Sequence, residues 1–174
     1  MGLDAANYAA VETLREGRRL EIRSFTPGDR TDLELAVARM SMRSTYQRFF
    51  TVKRSFSQRE RDFFLNVDFV AHVALMAWVE EEGRSVIVGG ARYVVVQPGK
   101  AEVAFVVIDP YQGLGIGAAM LRHLAAIARA AGLQDLIADV LPENQAMLKV
   151  FESSGLYMTA TTTPDVVQVT LQLS

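Results

Sequence analysis

The residues with the clearest chemical meaning lie between 102 and 117, Glu-Val-Ala-Phe-Val-Val-Ile-Asp-Pro-Tyr-Gln-Gly-Leu-Gly-Ile-Gly. A β-branched, apolar run ends in a turn, and three glycines then open an alanine-rich helical stretch. Bare backbone N–H groups at a helix start carry roughly half a positive charge, and a phosphate is their natural ligand. Glycine matters here because a Cβ would hold the phosphate away from the amides. Two other readings compete. Gly113, Gly115 and Ala118 fit the dinucleotide pattern G-x-G-x-x-G/A, with Asp135 and Asp139 about 20 residues on. A plain tight turn between strand and helix is the other. Against the dinucleotide pattern, the strand ahead is the fourth rather than the first, only one strand–helix–strand unit follows, and the glycines continue to Gly117.

Other side chains could do chemistry. Glu102 stands in the strand before the glycines, next to Val103, Ala104 and Phe105, where desolvation would raise a carboxyl pKa toward neutrality. It also reads as a solvated charge at a strand start, after the Pro98-Gly99 turn and Lys100. Asn144, just after Pro142, has the place of a helix cap. Residues 39–61 hold seven basic side chains (Arg39, Arg43, Arg48, Lys53, Arg54, Arg59, Arg61) against Glu60, a net of +6 on a chain of net −2. That stretch is either a solvated helical face or an anion-facing surface. Tyr46, Phe49, Phe50, Trp78 and the methionines read as core, and His72 and His123 as structural or exposed, with His72 the better candidate for a site.

The elements that must position these residues can be traced along the chain. The 174 residues suit one domain with a sizeable core, and half of them are hydrophobic. The net charge argues against nucleic acid, and the absence of cysteine excludes disulfides and thiolate chemistry. With two distant histidines, no metal site is expected. No stretch is long enough to cross a membrane and no signal-peptide core is seen, so a soluble, cytoplasmic protein is expected. A helical N-terminal extension is predicted over 1–17, its helix over 4–16, with one domain from 18 to 174. Strand 18–25 leads to a helix capped by Thr26 with Pro27 first. Helical pieces follow at 43–50 and 58–66, the latter with a Ser57/Glu60 capping box. Strands at 70–80, 85–97 and 102–108 form an antiparallel meander. A helix to about 131 is capped by Gly132, strand 136–141 runs parallel to 102–108, a helix spans 142–154, and strands 156–163 and 166–173 close the sheet. The fold class is mixed α/β, mostly antiparallel, with one parallel pair.

Gln112-Gly113-Leu114-Gly115-Ile116-Gly117 resembles the Gln/Arg-x-x-Gly-x-Gly/Ala signature of the GNAT superfamily of N-acetyltransferases, and the order of elements agrees over the chain from 18 onward. Ser44 to Phe50, Val67-Asp68 with His72 and Ala74-Leu75, and Leu141 to Leu148 are similar to the catalytic domain of bacterial Pat-type protein-lysine acetyltransferases. Those often carry an extra regulatory or ligase-like domain; in these 174 residues none is expected. The resemblance implies acetyl-coenzyme A as co-substrate. Its pyrophosphate would lie on the amides of Gly113, Leu114, Gly115, Ile116, Gly117 and Ala118, with Gln112 reaching the phosphates. Its pantetheine arm would run between strands 102–108 and 136–141, meeting Val106, Val107 and Asn144. Glu102 matches the proposed general base. Where many members have a tyrosine seven residues after that asparagine, this chain has Phe151, which has no proton to give. An oxyanion donor is expected from a backbone irregularity near Val106. The expected activity is direct attack of an amine, preferably a protein lysine, on the thioester. A small-molecule amine as acceptor and a non-catalytic acyl-coenzyme A sensor are the alternatives. The sequence leaves the oligomeric state open, a homodimer included.

Overall fold

The computed structural model describes residues 4–14, 16–39 and 67–173. The helical pieces expected at 43–50 and 58–66 lie outside them, as do Tyr46, Phe49 and Phe50. Among the described residues eight strands form one sheet: β1 (Ala9–Thr13), β2 (Arg19–Ser24), β3 (His72–Glu81), β4 (Arg84–Gln97), β5 (Lys100–Val107), β6 (Asp135–Val140), β7 (Tyr157–Thr162) and β8 (Val167–Gln172). Their spatial order is β1-β2-β3-β4-β5-β6-β8-β7. Every neighbouring pair is antiparallel except β5–β6. The described helices are α1 (Arg30–Ala38), α2 (Ile116–Ala130) and α3 (Gln145–Glu152).

The expected helix over 4–16 is a 3-10 turn, Ala5–Asn7, followed by strand β1. Asp4 caps the turn by accepting from the Ala6 N–H at 3.1 Å. The Tyr8 N–H then donates to Ser24 Oγ at 3.0 Å, and five register pairs from Ala9↔Arg23 to Thr13↔Arg19 dock β1 on β2. Alanine's helix preference is worth only tenths of a kcal/mol per residue, so tertiary pairing overrides it. Inward-facing Glu12 bonds His123 and Arg122 of α2, and the Tyr8 hydroxyl meets the other ring nitrogen of His123. His123 is therefore a bridge between β1 and α2.

Alternation along the strands gives the sheet two different faces. Ala101, Val103 and Phe105 of β5, with Tyr93 of β4, point into the main core beneath α2. From α2, Ile116, Met120 and Leu124 face them, all nearly fully buried. A Cβ on Gly89 would sit 3.0 Å from the Val106 carbonyl oxygen and 3.2 Å from the Met120 methyl, so glycine lets α2 approach β4 closely. The helix ends in a Schellman pair, Gly132 N–H to Arg129 O and Leu133 N–H to Ala128 O, both 3.0 Å. On the opposite face Trp78, buried as expected, packs with Ala36 of α1 and Ile87, and Arg23 stacks on its ring at 4.1 Å.

Candidate functional site

The glycine turn folds as the sequence requires. A 3-10 turn, Asp109–Tyr111, leads into Gly113 at φ +82° and Gly115 at φ +92°, and Gly115 is the N-cap of α2. These left-handed angles are strained for any residue with a side chain. The first turn of the helix closes with Ala119 N–H to Gly115 O at 3.0 Å. The amides of Gly115, Ile116, Gly117 and Ala118 precede that bond and have no intrahelical acceptor. A Cβ built on Gly113 meets no protein atom within 4 Å, so the space over the loop is open. Leu114 and Ile116 turn their side chains into the core, and what they present to the loop is backbone. The Gln112 Nε2 donates back to Val107 O at 2.9 Å.

Beside the loop the parallel pair comes apart. β5 and β6 are in register only at Lys100↔Asp135, Ala101↔Leu136 and Glu102↔Ile137. Beyond Glu102 the strands diverge, and the opening is lined by Phe105, Ala138, Asp139, Val140, Asn144 and Phe151. The Ile108 N–H bonds Val88 O at 2.9 Å, and the Asp135 N–H bonds Gly99 O at 3.0 Å. By antiparallel alternation the peptide groups of Val106 turn to β4, and those of Phe105 and Val107 turn into the opening. No irregularity occurs near Val106: β4 and β5 stay in register from Gly89↔Val107 to Val95↔Ala101. Backbone donors are released there by the departure of β6, and they belong to Phe105 and Val107.

Asn144 is the N-cap of α3, its Oδ1 accepting from the Met147 N–H at 3.2 Å, and it lines the opening as well. Phe151 is 1% exposed and meets Phe105 edge-on, with ring centroids 5.9 Å apart. It belongs to the wall of the opening, in place of a proton donor.

Glu102 is exposed, against the expected burial. Strand alternation is the reason: Val103 and Phe105 point to the other face, so its sequence neighbours do not cover it. Register places it opposite Val94, diagonal to Arg92 and one strand from His72, all on the face away from α2. Arg92 is a candidate site residue that sequence reasoning missed. The signal was a lone cation among Gly89-Gly90-Ala91 and Tyr93-Val94-Val95. Burial lowers its pKa to about 10, with the Glu102 carboxylate pulling the other way. Burial, then the Arg92 cation, lowers the His72 pKa against an opposing pull from Asp68. Asp68 Oδ1 accepts the N–H groups of Val70, Ala71 and His72, each at 2.9 Å, which holds its carboxyl below the usual range.

Of the basic stretch 39–61, only Arg39 is described. It forms a two-pronged pair with Glu81 at 3.1 and 3.2 Å, so its charge is already matched.

A sequence model described as "Acetyltransferase (GNAT) family" matches residues 39–156. An acetyltransferase of Pseudomonas aeruginosa is 32% identical over 138 residues, 79% of this chain and 74% of that protein. The acetyltransferase Pat of Mycolicibacterium smegmatis is 32% identical over 147 residues, which cover 82% of this chain and 42% of Pat. Among solved structures, the GNAT domain of S. lividans PAT superposes with a TM-score of 0.85 at 32% identity, covering 94% of this chain and 96% of that one.

Proposed function

This chain belongs to the GNAT family of acetyltransferases, and on that premise we propose that it acetylates lysine side chains of proteins, with acetyl-coenzyme A as donor and Glu102 as general base. The observation that carries the reading is the divergence of β5 and β6 beside an open glycine loop. A phosphate on the loop amides and an extended amide-bearing arm along Phe105 and Val107 use backbone groups that the fold leaves without strand partners. The likeness to Pat and to the S. lividans domain supports a protein acceptor.

The co-substrate supplies an activated acetyl thioester. The chain's own groups do the rest. The amides of Gly113 to Ala118 hold the phosphates, with the helix start adding partial positive charge. Asn144 holds the end of the arm from the α3 side. With the Val107 N–H, next to the phosphate loop, given to the arm, the Phe105 N–H, nearer Glu102, is the donor available where negative charge develops on the acetyl oxygen. A lysine amine is protonated in about 2,500 of every 2,501 copies at pH 7, so removing its proton is a main task. Glu102 accepts it, directly or through one water. Its exposure suits an acceptor delivered on the surface of another protein, and Arg92 beneath it fixes the sign of the local field. Phe151 supplies no acid, so the departing thiolate takes its proton from solvent.

The test is incubation with labelled acetyl-coenzyme A and, separately, a bacterial protein extract, a lysine-bearing peptide and a polyamine. Label in protein lysines, lost in Glu102→Gln, supports the reading. Label in the polyamine alone moves the acceptor to small amines, and binding of coenzyme A without transfer to any acceptor makes the chain a sensor.

A further inference from the structure

We propose that Tyr111 is a positioning residue for the glycine loop: its hydroxyl network holds the chain entering Gly113 and Gly115 in the shape that takes the phosphates of coenzyme A. The proposal rests on the coenzyme A reading above. Tyr111 closes the 3-10 turn two residues before Gly113, and its N–H donates to Ile108 O at 2.9 Å. It is 5% exposed, yet its hydroxyl is fully used. The hydroxyl donates to Glu81 Oε2 and accepts from Arg18 Nη1 at 2.9 Å. Glu81, at the end of β3, also takes the two-pronged pair from Arg39. The Arg18 and Arg39 guanidinium groups lie 5.3 and 6.0 Å from the centre of the Tyr111 ring. Arg18 is steadied in turn by Glu16 at 3.1 Å.

One phenol thus ties the loop to the turn before β2, to the end of β3 and to the end of α1. Packing alone does not ask for that hydroxyl, since phenylalanine would fill the same space. Its partners are charged on both sides, and charge-assisted hydrogen bonds are the stronger and more directional kind. The next residue, Gln112, is anchored to Val107 O. The loop is therefore held at two successive residues just ahead of its first left-handed glycine. None of these groups lines the opening between β5 and β6, so the network acts on the phosphate loop and leaves the reacting atoms alone.

The experiment compares the parent with Tyr111→Phe and with Glu81→Ala, which removes the partner from the outer end of β3. Coenzyme A binding is measured by calorimetry, and steady-state kinetics vary each substrate in turn. Tyr111→Phe should weaken coenzyme A binding and raise KM for acetyl-coenzyme A by roughly three- to tenfold, as expected for loosening a preorganised site. The kcat at saturating acetyl-coenzyme A and KM for the acceptor should stay within about twofold. Glu81→Ala should move the same quantity in the same direction, and the double variant should be little worse than either, since both break one network. Coenzyme A affinity unchanged in both variants overturns the proposal. So does a general loss, with kcat and both KM values following a fall in Tm, because that marks a merely structural tyrosine. Failure of the parent itself to bind coenzyme A sinks the cofactor reading and this proposal together, which separates that failure from the other two.

Discussion

The two edges of β5 belong to one short strand and behave differently. Toward β4 the strand is paired from Ala101 to Val107. Toward β6 it is paired only at Lys100, Ala101 and Glu102. β6, Asp-Leu-Ile-Ala-Asp-Val, is a weaker strand sequence than the valine-rich β4, yet it pairs along its whole length on its other side. The difference comes from what lies beyond. β6 is held on its far side by six pairs with β8, so it leaves β5 without losing its own ladder. Into the opening α3 brings Phe151, which packs edge-on against Phe105. That edge-on aromatic pair fills part of the space where the two strands part.

The most direct way to break this contrast is amide hydrogen exchange. The Val106 N–H faces β4 and should exchange only with global opening, whereas those of Phe105 and Val107 should exchange faster by roughly three orders of magnitude. Saturating coenzyme A should close the gap. Equal protection of all three in the free protein would mean that β6 pairs along the whole of β5. Gly115→Asp should lower coenzyme A affinity by about a hundredfold or more, because it strains the left-handed N-cap and sets a carboxylate among the amides proposed to take the phosphates. Near-parent affinity in that variant would remove the loop from the site. Glu102→Gln tests the open face against the gap: turnover should drop at least about tenfold, with coenzyme A binding unchanged. Undiminished turnover at pH 7 would leave the base unassigned.

Asn144→Ala serves both roles of its side chain. Loss of the cap should cost about 1 kcal/mol of stability in a denaturant titration, and coenzyme A affinity should fall by a few fold. A stability loss with unchanged affinity would confine Asn144 to capping. The smallest effect concerns pH. The folded His72 pKa is depressed, by burial first and then by Arg92, so the unfolded chain binds the extra proton. Its contribution is complete above the unfolded value near 6.5 and is lost as pH falls below it. Asp68, depressed by the N–H bonds of Val70, His72 and Ala71, adds stability that is lost only in more acid solution, as pH falls through its folded pKa. His72→Gln should flatten the stability profile between pH 7 and 5, and Asp68→Asn should flatten it below about pH 4. A profile between pH 7 and 5 that is unchanged by His72→Gln would show the histidine to be indifferent to its protonation.

What was readable in the chain was whatever a local rule controls. Gly113, Gly115 and the helix behind them follow from backbone stereochemistry within a few residues, and the alternation of β3, β4 and β5 marks their core-facing side chains. Asn144 announces its cap for the same reason. The N-terminal strand was not readable: Asp4 to Thr13 is locally a fair helix, and only the open edge of β2, Ser24 and the side chains of α2 make β1 of it. Glu102 was misjudged because its neighbours in sequence are not its neighbours in space: alternation sends Val103 and Phe105 to the other face. Arg92 beside it, the split between β5 and β6, and the meeting of Tyr111 with Arg18, Glu81 and Arg39 join residues far apart in the chain. Sequence by itself determined which backbone would bend and which helix start would be left with bare amides. Tertiary structure decided which peptide groups stay without a strand partner and which charges face one another, because those depend on register between strands and on what packs behind them.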